Sequence, residues 1–354
     1  MFTITPVGHL GQSSMATPEQ LAPEQRRQAL RRLLRDFTTS HPALDEVLRA
    51  SLRDTDAEVR MTAVLAAARL RAREVLPALH TADIPAALKH LEDPRERRAL
   101  EQLWRGVIRY LQERQLPSLL VPGRDPLKPL RDVVEGSVEV TDATSLLIHS
   151  LCTPLTLGRR PRVLPPGIIE QNGQYRLRHS GLELQWVAPV DHWLGANPVR
   201  RVRSEGFFMA RFPVDCSLTS WMGKALPIRV VPDRERTWLG SFEEARRLCE
   251  NFSRIEKIQL RPPTLDEWEM AARGPDGRRH AWGNLSAHQG ERSPSPWGVE
   301  DLMGDVPEWT FDPENGTRYL RGGVESRAWV RHGVELTEEA PVAALRPIVS
   351  AFCA

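Results

Sequence analysis

Sulfur and lysine are scarce in this 354-residue sequence, and it has no apolar run long enough to cross a bilayer. The four cysteines, Cys152, Cys216, Cys249 and Cys353, are scattered. They suit a reducing cytosol better than a disulfide framework, so a cytoplasmic location is expected. Lysine occurs only at Lys89, Lys128, Lys224 and Lys257, and arginine carries the remaining positive charge. Acidic residues balance it to a formal net charge of +2, which removes the electrostatic case for nucleic acid or a membrane surface. The opening MFTITPVGHLGQSS has neither a charged n-region nor an apolar h-region, so no signal peptide is expected. What is present is an ordinary globular composition, 41% hydrophobic and 27% charged, in a chain of two-domain length.

The tryptophans divide the chain, because only Trp104 precedes residue 180. After an N-terminal segment, 1–22, the region 23–115 reads as helices rich in Ala, Leu and Arg. A first helix closes before His41-Pro42. A second runs from Ala43 to Leu52 with Leu44, Val47, Leu48 and Leu52 expected on one face. Thr55 or Asp56 caps a third, in which Val59, Ala63, Val64, Ala67 and Leu70 face inward. The string LRDTDAEVRMTAVLAAARL, Leu52 to Leu70, resembles a HEAT repeat, with Asp54 at the turn and Arg60 early in the helix. A weaker echo, LEDPRERRALEQL, begins at Leu91, 39 residues after Leu52. No third copy is evident, so the flanking helices are read as caps, or the array packs on something else.

From 116 to 180 the sequence reads as a linker with a β-hairpin. Prolines at 117, 122, 126 and 129 break helix, and Gly158-Arg159-Arg160-Pro161-Arg162 is a basic run. The hairpin is Ile168–Gln171, a turn at Asn172-Gly173, then Gln174–Arg178. From 181 onward Gly and Pro turns and aromatic residues replace long helices. Two short helices are expected, Ser241 to Phe252 and Leu265 to Arg273. The second opens on a capping box, Thr264 with Glu267, and closes at Gly274.

Several ordered motifs in this half carry a resemblance. RPPTLDEWEMAARG (Arg261–Gly274), Ala281-Trp282-Gly283-Asn284, Trp297 through Trp309, Tyr319-Leu320-Arg321-Gly322-Gly323 and Leu345-Arg346-Pro347-Ile348-Val349 stand in the order shown by the formylglycine-generating enzyme (FGE)-sulfatase family. Gly181-Leu182-Glu183 to Gly195 resembles that family's opening strands, and Gly206-Phe207-Phe208 to Val214 resembles its GFYIxxYEVT segment. The resemblance covers 181–354 and implies an α+β domain of irregular C-type-lectin-like fold behind the α, HEAT-like array. Arg321 and Arg346 are expected to be buried and paired with carboxylates.

The family's oxidases hold copper with a cysteine pair lying between the RGG and GFR-like motifs. Here that stretch, Val324 to Leu345, contains no cysteine, and no other side chain replaces thiolates for soft Cu(I). The family's sulfoxide synthases bind iron through histidines of an attached helical domain. His41, His80 and His90 have no ligand spacing. Calcium is the cofactor the resemblance leaves open, at Glu308 with Asp305, Pro307 replacing the family's Trp in that loop. The expected role is therefore a non-catalytic adaptor or regulatory subunit that binds a protein partner. The altered loop supplies the candidate contacts: Trp329, Arg331, His332, Glu335, Glu338 and Glu339. By resemblance to helical-repeat members of bacterial signalling and defence modules, the partner would be a protease, sigma factor or effector encoded nearby. The alternatives are a metal-dependent oxidase and a ligand-binding, lectin-like variable protein.

Overall fold

Among the described residues, helices make up the chain from Pro23 to Cys152, and strands with further helices follow. The computed structural model describes residues 21–113, 128–221, 237–285, 294–304, 306–323, 332–333 and 342–351. The helical part comprises α1 (Pro23–Asp36), α2 (Pro42–Ser51), α3 (Ala57–Arg69), a 3-10 turn (Arg73–Val75), α4 (Leu76–Thr81), α5 (Ile84–Leu88), α6 (Pro94–Glu113), α7 (Lys128–Glu135) and α8 (Ala143–Cys152).

α3 is its hub. The Asp56 side chain caps it by accepting from the backbone N–H groups of Glu58 and Val59. Every residue from Met61 to Ala68 is buried, because α1, α2, α5, α6, α7 and α8 all pack around it. A helix apolar on all sides belongs in a core, and its run of alanines lets neighbours approach closely. In α2, Leu44, Leu48 and Leu52 face the core at four-residue spacing. Val47, expected on that face, is instead 44% exposed, since it sits a quarter-turn off the line of the leucines. Arg60 and Arg97 occupy the same position near the starts of α3 and α6. Each reaches back six residues to a carbonyl, Asp54 O at 2.6 Å and Leu91 O at 2.5 Å.

Within the stretch read as a linker, α7 and α8 pack on α3 and extend the helical core through Leu130, Val133, Leu147, Ile148 and Leu151. The prolines that argued against helix are not in their interiors: Pro129 is the second residue of α7, where proline is tolerated. The hairpin follows as β1 (Ile168–Gln171) and β2 (Gln174–Leu177), joined where Asn172 and Gly173 both take positive φ, 52° and 77°.

The remaining elements are β3 (Glu183–Val187), β4 (Asp191–Leu194), β5 (Arg200–Arg203), β6 (Phe207–Ala210), α9 (Cys216–Trp221), β7 (Leu239–Gly240), α10 (Phe242–Glu256), α11 (Leu265–Arg273), β8 (Glu308–Phe311), β9 (Arg318–Arg321), β10 (His332–Gly333), β11 (Ala343–Ala344) and β12 (Ile348–Ser350). One sheet runs β1-β2-β3-β6-β12, all antiparallel. A second runs β10-β9-β8-β11-β7, with β8 and β11 parallel, and β4-β5 is a separate ribbon. α10 and α11 each open on a capping box, Ser241 with Glu244 and Thr264 with Glu267. α10 buries Ala245, Leu248, Cys249 and Phe252 against the first sheet, and α11 buries Trp268, Ala271 and Ala272 with Phe207, Met209 and Ile348. Among the described residues no helix is long and apolar enough to cross a membrane.

Candidate functional site

The second sheet is pinned by two buried arginines, one on each side in sequence of the cysteine-free stretch 324–345. Arg346 is fully buried and uses all five of its N–H donors. Nε and one Nη2 hydrogen go to the Glu308 carboxylate, at 3.0 and 2.7 Å. The others reach the carbonyls of Glu300 at 2.8 Å, Ala210 at 3.0 Å and Arg211 at 2.7 Å. Glu308, 1% exposed, also accepts from the Trp268 indole N–H at 2.8 Å. α11 is thereby tied to β8, and β8 to the start of the last strand. On the other side Arg321 donates to Glu269 at 3.1 Å, and Glu269 also holds Arg273 at 2.8 Å and the Gly195 N–H at 2.7 Å. The paired carboxylates expected for Arg321 and Arg346 are thus Glu269 and Glu308. Both of Glu308's oxygens are in use, so a cation binding there would have to displace Arg346.

The described cysteines offer no soft ligand set. Cys152, Cys216 and Cys249 are buried, unbridged and on three different helices. Burial pushes the Cys152 thiol up to about 12 and raises Cys249 and Cys216 as well, so each stays protonated at neutral pH. Among the described residues no three His, Cys, Asp or Glu side chains are grouped to hold a metal ion.

Residues 219–338 match the family model described as a sulfatase-modifying factor enzyme 1-like domain, FGE-sulfatase. This segment is an FGE-sulfatase domain. The match is narrower than the 181–354 over which the motifs extend. Among solved structures the chain is similar to PvdO from Pseudomonas aeruginosa, at 14% identity and a TM-score of 0.40, over 55% of this chain and 100% of that one. No curated protein matches the chain.

The FGE-sulfatase domain meets the helical part through a buried charge cluster that no sequence motif announced. Arg31 of α1, 0% exposed, donates to Glu58 of α3 and to Asp276 just beyond α11, each at 3.0 Å. Arg278 spans Asp276 at 2.9 Å and Glu24 of α1 at 3.1 Å. Arg27 donates to Glu58 at 3.2 Å, to Glu24 at 2.7 Å and to the Trp282 carbonyl at 2.8 Å. The Glu58 carboxylate also accepts from the Asn284 backbone at 2.6 Å and its side-chain amide at 3.0 Å. Three guanidinium groups thus face three carboxylates. Burial opposes charge on Glu58, and Arg27, Arg31 and the Asn284 N–H outweigh it, leaving its pKa below the usual carboxylate range. The fit is close. A Cβ on Gly283, whose φ is +139°, would lie 2.4 Å from Glu58 Oε2. Alongside, Leu285 joins the helical core, Gly277 packs on Trp193 and Leu146, and Arg279 pairs with Glu96 of α6.

Of the residues expected to contact a partner, Trp329, Arg331, Glu335, Glu338 and Glu339 lie outside the described residues, as does Asp305 of the calcium pair. The backbone of His332 is described: it pairs with Leu320 in the second sheet. The junction residues were the ones sequence reasoning passed over. One signal was available, since Arg27 and Arg31 are one turn apart on the same face of α1 as the buried Leu30 and Leu34.

Proposed function

We propose that the chain is a non-catalytic binding protein, an adaptor or regulatory subunit. In this reading a HEAT-like array is fused to an FGE-sulfatase domain of C-type-lectin-like fold. One observation carries it. The frame around 324–345 is complete in its buried ion pairs, Arg321–Glu269 and Arg346–Glu308, while the stretch it brackets has no cysteine with which to grip copper. The protonated, separately buried thiols of Cys152, Cys216 and Cys249 support the same reading. The residues of this stretch suit recognition, with Trp329 as aromatic anchor and Arg331, His332, Glu335, Glu338 and Glu339 as polar surroundings. The proposed partner is a protein of a bacterial signalling or defence module, such as a protease, sigma factor or effector encoded nearby. Calcium at Glu308 and Asp305 is the weaker companion idea, because Arg346 already neutralises Glu308.

The test has two arms. Anaerobic Cu(I) titration and oxygen uptake with a cysteine-containing peptide should give no stoichiometric binding and no turnover. Cross-linking in the native host should capture a neighbour-encoded protein that the folded Trp329→Ala variant loses. Oxygen-dependent conversion of the cysteine peptide would overturn the proposal in favour of the oxidase.

A further inference from the structure

Between α8 and β1 the chain crosses from the helical part to the sheets through Thr153–Pro165, without regular secondary structure. Two bonds tie the backbone of its first half to the helices and the sheet. Leu155 N–H donates to Gln28 Oε1 of α1 at 2.9 Å, and the Arg159 carbonyl accepts from the Trp186 indole N–H at 2.9 Å. Beyond Arg159 the backbone is untied, and among the described residues no backbone hydrogen bond involves 160–164. Arg162 is exposed, and Val163, 81% exposed, is the most exposed large hydrophobic side chain described.

We propose that the Arg162–Val163 bond is a processing site for an arginine-specific serine protease, and that the cut chain stays together as one particle. Such a protease takes its substrate as an exposed, unpaired segment, puts an arginine side chain in its specificity pocket and the scissile carbonyl in its oxyanion hole. The strap offers three bonds after arginine, and the structure separates them. At Arg159–Arg160 the scissile carbonyl is already engaged by Trp186, and the next side chain, Arg160, pairs with Glu170 at 3.0 Å. At Arg160–Pro161 the leaving nitrogen is a proline ring, which such enzymes do not accept. At Arg162–Val163 the arginine has no ion-pair partner among the described residues, the carbonyl is unoccupied and the valine projects into solvent. Hydrolysis there consumes one water. The amide C–N bond breaks, Arg162 gains a carboxylate and Val163 an ammonium group.

The product stays assembled because the junction binds across the cut. Arg31–Asp276, Arg278–Glu24, Arg27 with the Trp282 carbonyl and Glu58 with Asn284 all join a residue before 162 to one after 163. The burial of Leu285 in the helical core does the same. The experiment is brief digestion of the full native chain with dilute trypsin, followed by N-terminal sequencing and native gel filtration. Within the strap, Val163 is expected as the new N-terminus in large excess over Arg160. The pieces should co-elute at the volume of the intact chain and separate only in denaturant. Arg162→Gln should remove the Val163 end and leave the unfolding midpoint unchanged. A strap that is cut first at Arg159–Arg160, a strap left intact while the rest of the chain is degraded, or pieces that separate on the native column would each overturn the proposal. Sequencing of the unmutated chain decides the cleavage site even if the variant folds poorly.

Discussion

Replacing Arg31 with methionine tests whether the two parts of the chain stand as one cooperative unit. The guanidinium is buried between Glu58 of the helical part and Asp276 of the FGE-sulfatase domain, 3.0 Å from each. Methionine keeps most of the apolar stem, so the change removes charge and hydrogen bonds more than volume. Deleting one partner of a buried pair costs about 3–5 kcal/mol, chiefly because the other charge is left uncompensated. Here the orphaned groups keep other partners: Glu58 retains Arg27 and Asn284, and Asp276 retains Arg278. Arg31 Nε has no hydrogen-bond partner, which lowers what the wild-type contact is worth. The lower end, about 3 kcal/mol, is therefore expected, a large fraction of the roughly 5–15 kcal/mol that stabilises a typical fold. Two probes read the two parts separately. Far-UV circular dichroism follows mainly the helical part, while tryptophan fluorescence follows the region after residue 180, where all tryptophans but Trp104 lie. In urea the wild-type transitions should coincide, and in Arg31→Met they should separate and shift to lower urea. If the wild-type probes already disagree, or if the variant keeps coincident transitions with less than about 1 kcal/mol lost, the junction does not couple the parts and the reasoning fails.

Two further outcomes follow from other buried groups. Arg346→Lys should cost about 3 kcal/mol in the same urea titration, because a single ammonium cannot reproduce five planar donors toward Glu308 and three carbonyls; a shift no larger than that of a surface substitution would show the frame to be dispensable. His192 gives a pH signature. Its ring is 0% exposed, lies beside Trp297, and neither nitrogen has a well-formed hydrogen bond; burial pushes its pKa down to about 4, with partial relief from the Gly274 backbone, Asp191 and Asp276. The depressed value means the neutral form is favoured by folding. Its contribution is intact above the unfolded pKa of about 6.5 and is lost as pH falls toward 4, roughly 3 kcal/mol in all. His192→Phe should flatten the stability-pH curve across that window, and an unchanged slope would remove His192 as the cause.

The ends and faces of individual elements were legible in the sequence where one local device decides them. Thr264 with Glu267 starts α11, Gly274 ends it, and Asn172-Gly173 turns the hairpin. Val47 shows the limit of pattern reading on a ten-residue helix, where an apolar side chain one step off the leucine line points into solvent. α7 and α8 are harder to read because Pro129 stands at the start of α7, while α8 shows only the short apolar spacing of Leu146, Leu147, Ile148 and Leu151. The junction was hidden for a different reason. Glu58 lies in the first turn of α3, where an acid is ordinarily explained by the helix dipole, and Asp276 lies in a Pro-Asp-Gly turn, where aspartate needs no partner. Each residue had an adequate local explanation, so only the fold reveals that they share one guanidinium.

The same distinction separates residues that hold the fold from residues that would do chemistry. The motifs that identify the FGE-sulfatase domain are mostly those with buried work to do: Trp268 on Glu308, Glu269 between Arg273 and Arg321, Arg346 on Glu308 and three backbone carbonyls. Losing any of them would leave a buried charge or donor without its partner, so each has a structural reason to be present whether or not the domain catalyses anything. The oxygen-uptake and cross-linking experiments decide the role of the domain independently of its stability.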